Sequence, residues 1–125
     1  MSRQLMQEAF SKMQTEIKQA QRLTEQGELI KAEAIYHDIL EQEKNYSPAL
    51  YGLSELANKI DEQEVRDDLL NRAIEEIKQT KDRKQKGLIA IWLSERAEAL
   101  IKLGRQEDAK KCIHESEKII KQNLA

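Results

Sequence analysis

Residues 27–36 read GELIKAEAIY, and this stretch decides the fold that the sequence predicts. Gly27 stands where an apolar stripe of helical period stops, and a glycine that accepts positive φ commonly follows the last turn of a helix. After it, Ala32, Ile35 and Tyr36 recur at spacings of three and four, which is typical of the buried side of a helix. The stretch therefore predicts two helices joined by a tight turn at Gly27.

The same pattern returns twice further along the chain. Asp61 stands at the corresponding place 34 residues after Gly27, and Gly104 stands 43 residues after Asp61. The residue seven before each turn is small: these residues are Ala20, Ser54 and Ala97. Small residues that face each other allow two helices to approach closely. The sequence therefore predicts three helical pairs, with nine extra residues, 81–89, inserted before the third.

Six helices follow from the periodicity. Ser47 is predicted to cap the third helix, with Pro48 in its first turn. The low content of glycine (4) and proline (1) and the lack of strand-type alternation favour an all-α fold in one domain, 1–125. The predicted helices span residues 2–26, 29–44, 47–60, 64–78, 83–103 and 106–122.

A helix–turn–helix unit of 34 residues with small residues near its turn resembles the tetratricopeptide repeat (TPR). The matching segments are 27–36, 48–53 (PALYGL) and 104–109 (GRQEDA). The resemblance implies an α-solenoid of three antiparallel hairpins that coil into a right-handed superhelix. The repeats would cover residues 13–46, 47–80 and 90–123, with the insertion at 81–89.

The middle repeat departs from the family pattern. Five residues after the turn the family prefers a small side chain, which Ala32 and Ala109 provide and Arg66 does not. Asp61 also replaces the turn glycine. We therefore expect this turn to be displaced by one residue, with Val65 in the inward place.

The resemblance also implies a concave groove, lined by the first helix of each pair, where family members bind peptides or partner helices. Its amides and carboxylates suit a polar or basic extended segment. Glu55 and Glu98 disfavour the acidic tail of a heat-shock chaperone, which other members hold with lysines and asparagines. The alternative is an ordinary solvated surface. The predicted lining residues are Ile17, Gln21, Tyr51, Glu55, Asn58, Ser94 and Glu98.

Apolar residues also accumulate at the two ends of the predicted array. They predict self-association, a partner, or a chain cut from a longer protein. The alternative is that the chain folds back locally and covers them. The residues are Leu5, Met6, Phe10, Ile119, Ile120 and Leu124.

No catalytic, cofactor or metal site is predicted. Cys112 falls on an inward stripe, and every glycine is isolated, so the sequence contains no phosphate-binding loop. A net charge of −2 argues against nucleic-acid binding, and no segment resembles a membrane span or a signal peptide. The single cysteine fits a cytoplasmic location. The basic stretch 78–86 is either a solvated connection or a site for an acidic partner.

The sequence thus predicts a non-catalytic protein–protein interaction module, an adaptor or scaffold, that binds a protein or peptide through its groove or its apolar ends. Two alternatives remain open. One is a structural protein that self-assembles as a homodimer or stacked array. The other is the regulatory subunit of an enzyme complex.

Overall fold

The structure is a computed structural model that describes the backbone of residues 2–124 and the side chains of residues 2–123. Over these residues the chain forms six α-helices and no strand, which confirms the all-helical prediction. None of the described helices is both long enough and apolar enough to cross a bilayer. The helices are α1 (Arg3–Glu25), α2 (Leu29–Gln42), α3 (Ser47–Lys59), α4 (Gln63–Ile77), α5 (Arg83–Lys102) and α6 (Gln106–Leu124).

The start of α3 differs from the prediction. Tyr46, not Ser47, is the N-cap residue, and it makes no side-chain capping bond. The carbonyl of Tyr46 accepts from the N–H groups of Ala49 and Leu50 at 3.0 and 3.1 Å. The cap therefore lies one residue earlier than predicted. Pro48 fits in this first turn because it has no N–H that needs a partner.

The turns after α1, α3 and α5 share one backbone geometry. Gly27, Asp61 and Gly104 all have positive φ, at 81°, 58° and 78°. In each turn the N–H of the next residue donates to a carbonyl five residues earlier at 2.8 Å, as in the Schellman motif. The three bonds run from Glu28 to Leu23, from Glu62 to Ala57 and from Arg105 to Leu100. The alignment of the three turns is therefore confirmed at the level of the backbone.

The prediction of a displaced middle turn is wrong. Asp61 adopts the left-handed conformation itself, which aspartate tolerates better than most residues, so the register stays that of the glycine turns. Five residues on, Arg66 is buried, with only 4 % of its surface exposed, whereas Val65 is 46 % exposed. A full arginine therefore occupies the buried place, five residues after its turn, that corresponds to Ala32 and Ala109 after the other two turns.

We expect the left-handed backbone at Asp61 to be visible in stability measurements. Asp61→Ala introduces a residue that disfavours positive φ and also removes the acceptor for Gln63 Nε2. The free energy of unfolding of Asp61→Gly should therefore be about 1 kcal/mol higher than that of Asp61→Ala. Urea denaturation followed by far-UV circular dichroism measures this difference. Equal stabilities of the two variants would contradict a left-handed residue at this turn.

Each helix packs against the next one along the chain, and α1 also packs against α3. The small residues seven before each turn are buried, as are Ile39, Ala73 and Ser116, which lie twelve after it. The sixth helix packs closely only on α5, apart from the ion pair between Lys78 and Glu115. Its Ile113 is therefore 40 % exposed, whereas the equivalent Tyr36 and Leu70 are buried.

The nine inserted residues form little loop. Residues 83–89 lie in the first two turns of α5, so the insertion mainly lengthens this helix at its N-terminal end. Asp82 caps the helix, since its carboxylate accepts from the N–H of Lys84 at 2.9 Å. The lengthened helix brings Leu88 and Ile91 beside the N-terminal half of α3.

Candidate functional site: an apolar trough beside an acidic recess

An apolar trough opens between the N-terminal halves of α3 and α5. Its cavity measures about 390 Å³, and the side chains that line it include Pro48, Tyr51, Leu88, Ile91 and Trp92. Leu88 and Ile91 are 38 % and 56 % exposed. Apolar side chains that line one cavity and stay accessible to water are typical of a binding surface.

An aromatic stack forms the floor of the trough. The rings of Tyr51 and Trp92 lie 5.1 Å apart between centroids, with an angle of 15° between their planes. Trp92 is buried and Tyr51 is half-buried. The stack ties α3 to α5 and gives the trough a rigid base.

An acidic recess of about 180 Å³ adjoins the trough. Its lining residues come from α3, α4 and α5 and are Ser54, Glu55, Asn58, Lys59, Arg66 and Glu95. Tyr51 connects the two cavities, because its hydroxyl donates to Glu95 Oε1 at 3.1 Å. The trough and the recess therefore form one continuous surface.

Glu95 is incompletely satisfied. Its second oxygen, Oε2, is buried and has no hydrogen-bond partner among the described residues, a property that it shares with Glu16 Oε1 on α1. A buried carboxylate oxygen without a donor destabilises the fold, since it has lost its contact with water and gained no other. Glu95, which lines the recess, thus has an acceptor that the described chain leaves without a donor.

The ionisation of Glu55 and Tyr51 reflects their burial beside a second carboxylate. Burial raises the pKa of Glu55, and the charge of Glu95 raises it further. Burial also raises the pKa of Tyr51, to which the charge of Glu95 adds. Both shifts have the sign expected where carboxylates crowd together away from water.

Arg66 lines the recess, but its hydrogen bonds are to residues outside the lining. Its Nη1 donates to Glu98 Oε1 at 2.9 Å and to Gln63 Oε1 at 3.2 Å. The bond from Arg66 lowers the pKa of Glu98. The guanidinium therefore pairs with the exposed carboxylate at the rim and not with the buried oxygen of Glu95.

We expect Glu55→Gln to stabilise the protein at pH 7. Because the folded chain raises the pKa of Glu55, the ionised group opposes folding above that pKa, and this cost disappears as the pH falls towards the ordinary value of 4.5. The gain in unfolding free energy should therefore shrink between pH 7 and about pH 4. Urea denaturation across this range measures it.

The matched control is Glu33→Gln, which removes an exposed carboxylate of α2 outside the recess. Its effect should stay within about 0.5 kcal/mol at every pH. If Glu55→Gln instead lost stability, and most at pH 7, the conclusion that ionised Glu55 opposes folding would be contradicted.

The structure divides the predicted groove residues. It brings Tyr51, Glu55 and Asn58 together, and it places Gln21 at the edge of the trough. Ile17 is buried in the core. The remaining two, Ser94 and Glu98 on α5, line neither cavity.

Ser94 and Glu98 lie away from the trough. The Ser94 hydroxyl donates to the carbonyl of Ala90 and lies 3.4 Å from Ser116 Oγ of α6. Glu98 pairs with Arg66 and with Lys102. On α5 it is Trp92 and Glu95 that contribute to the site, and neither residue is among the predicted ones.

The predicted self-association residues are mostly accessible. Leu5, Met6, Phe10 and Ile120 are exposed, whereas Ile119 packs partly against the core. The side chain of Leu124 lies outside the described residues. Phe10 borders a cavity of about 350 Å³ that shares Ile77 and Gln85 with the trough. The apolar end of α1 and the trough are therefore neighbours.

The basic stretch 78–86 ties helices together. Lys78 Nζ pairs with Glu115 of α6 at 3.2 Å and with Glu75 at 3.3 Å. Arg83 Nη2 donates to the carbonyl of Asn123 at 3.0 Å. These two residues hold α4 and α5 against α6, which gives at least part of the stretch a structural role.

A larger concavity, about 850 Å³, lies elsewhere, at the turn formed by residues 61–65 and at the end of α5. It is lined mainly by exposed charged side chains. Within residues 2–124, no three histidine, cysteine, aspartate or glutamate residues are grouped so that they could hold a metal ion. Cys112 is buried, and burial raises the pKa of its thiol, so its reactive thiolate form is disfavoured.

Comparison with known proteins found no protein-family model that matches the chain and no curated protein that matches it significantly.

Proposed function

We propose that the chain is a non-catalytic protein-interaction module of the tetratricopeptide type and that a segment of a partner protein binds in the trough. Three helical hairpins with repeats at 13–46, 47–80 and 90–123 would stack into a right-handed α-solenoid. The shared geometry of the turns at Gly27, Asp61 and Gly104 supports this arrangement, as does the packing of each helix on the next. The first helices of the pairs would then line one face.

The observation on which the proposal depends is the exposed apolar wall of the trough. Leu88 and Ile91 stand open beside the Tyr51–Trp92 stack, and burying such a wall against a partner is favourable by about 25 cal/mol per Å². An extended segment suits a narrow trough, because its alternate side chains can enter the cavity while its backbone stays outside.

Two variants on one helix test the proposal. Ile91→Lys places a charge in the trough, whereas Ile101→Lys places the same charge on α5 outside it, at a residue that is 52 % exposed against 56 % for Ile91. The protein should capture its partner as wild type and as Ile101→Lys, and lose capture as Ile91→Lys. Equal capture by Ile91→Lys and wild type, with both chains folded, would contradict binding in the trough.

A second function, self-assembly, is supported by the exposed Leu5, Met6 and Phe10 on α1. Light scattering at several protein concentrations tests it. Self-assembly requires a mass that rises with concentration towards a dimer or a larger array and that returns to the monomer in Phe10→Ser. A monomer mass at every concentration eliminates this function and leaves the interaction module unaffected.

A further inference from the structure

We propose that the acidic recess receives one lysine or arginine side chain of the bound segment, next to an apolar side chain of the same segment that lies in the trough. The inference rests on the proposed binding in the trough and specifies the chemistry of the partner.

Charge complementarity is the first argument. The lining of the recess contains two carboxylates, Glu55 and Glu95, and two cations, Lys59 and Arg66, but the charge of Arg66 is paired with Glu98, which lies outside the lining. Arg66 is engaged with Glu98 and Gln63, and Lys59 is exposed and free to turn towards solvent. A further cation is therefore attracted to the recess.

The hydrogen bonds of Glu95 also favour a cationic ligand. Glu95 Oε2 is buried without a donor, and Oε1 is already bonded to the Tyr51 hydroxyl. A lysine ammonium or an arginine guanidinium brings several N–H donors together with its positive charge, so it can bond to Oε2 and neutralise Glu55 at once. Such charge-assisted bonds are the strong ones in proteins.

The volume of the recess matches a single side chain. The recess measures about 180 Å³, which equals the share of liquid volume of roughly six water molecules. That space accommodates the end of one long basic side chain. A bare metal ion fits the donors poorly, because no group of three potential metal ligands is present within residues 2–124.

The link between the two cavities gives the spacing in the partner. Tyr51 lines the trough and bonds to Glu95 of the recess, so the two sites are immediate neighbours. In an extended segment, residues two apart project to the same side at a separation of about 7 Å. The partner should therefore contain an apolar residue, any residue, and then lysine or arginine, in this or the reverse order.

A peptide array tests the inference with the full chain. The array fixes the triplets Leu-x-Arg, Leu-x-Lys, Leu-x-Gln and Leu-x-Glu and their reversals, within randomised flanks. Because a charge-assisted hydrogen bond contributes more than a neutral one, we expect the basic triplets to bind about tenfold more tightly than the glutamine triplets. The sole tryptophan, Trp92, lies in the floor of the trough and reports binding in solution by its fluorescence.

The variants assign the preference to the recess. Glu95→Gln keeps the shape of the side chain and should remove the preference for basic triplets, whereas Glu33→Gln, on the exposed part of α2, should keep it. Unfolding midpoints confirm that each variant is folded.

Three outcomes separate the inference from the function on which it rests. A basic preference that Glu95→Gln abolishes supports both. Binding without a basic preference, or with a preference that Glu95→Gln leaves intact, overturns the recess while the trough remains. Failure of the protein to bind any triplet overturns both.

Discussion

Gly52→Ala should lower the free energy of unfolding by about 2–3 kcal/mol, although alanine is the better helix former. Gly52 lies inside α3 and is buried against Tyr36 of α2. A methyl group at this position would overlap the tyrosine ring and lie 2.6 Å from its hydroxyl oxygen. Tyr36 is 1 % exposed and cannot move aside without disturbing the core around Ile39 and Leu50.

Gly87→Ala provides the matched control. Gly87 lies inside α5, and nothing stands within 4 Å of the place where its methyl group would be. This variant should therefore gain about 0.5–1 kcal/mol from helix propensity alone. Urea denaturation of both variants measures the contrast. If Gly52→Ala were as stable as Gly87→Ala, the close contact of α2 and α3 would be wrong.

Arg66→Ala should cost about 3 kcal/mol, even though alanine is the residue that the repeat pattern prefers at this place. Arg66 is buried, so its stem fills space in the interior, whereas the corresponding places after the other two turns hold only Ala32 and Ala109. Its removal creates a cavity and also takes the positive charge from Glu98 and from the recess. Arg66→Met keeps most of the volume and should lose about half as much.

The control on the same helix is Arg72→Ala, because Arg72 is exposed and its removal should change stability by less than about 0.5 kcal/mol. Calorimetry or urea denaturation gives the three values. Stabilisation by Arg66→Ala would mean that the repeat pattern governs this place and that the ion pair contributes nothing.

Periodicity and turn residues sufficed to predict the helices. Apolar spacing and the residues Gly27, Asp61 and Gly104 predicted six elements to within two residues at each end. These signals are local, because a helix end depends on the φ of one residue and on the hydrogen bonds of its own last turn. Asp61 was correctly predicted to lie in the turn, but the turn was predicted to be displaced by one residue. The reason is that no local pattern predicts a buried arginine.

The site required information that is not local. The sequence analysis took the same repeat places on α3 and α5, and this gave Tyr51 and Ser94. Two helices that face each other across a groove, however, contribute residues from opposite sides of their surfaces. For this reason Trp92 and Glu95 of α5 contact Tyr51 of α3. The spacing of these two residues in the sequence is a signal from which they could have been predicted. A lone tryptophan, three residues before a glutamate, lies on the same helix face as Leu88 and Ile91.

The recess reduces the stability of the fold. Ionised Glu55 and the unpartnered oxygen of Glu95 both oppose folding, whereas packing alone would favour apolar side chains at these places. Residues that oppose folding are common at binding sites, where a ligand supplies the missing partner. Glu55→Gln should therefore gain stability and lose affinity for a basic segment.

The most direct test is site-specific photo-crosslinking. A benzoylphenylalanine residue replaces Ile91 in the trough or, in the control, Ile101 on the same helix, and the adducts formed with the captured partner are mapped by mass spectrometry. The proposed binding predicts an adduct at position 91, within a partner segment that contains lysine or arginine two residues from an apolar residue, and none at position 101. Adducts at position 101 with none at position 91 would show that the partner binds elsewhere.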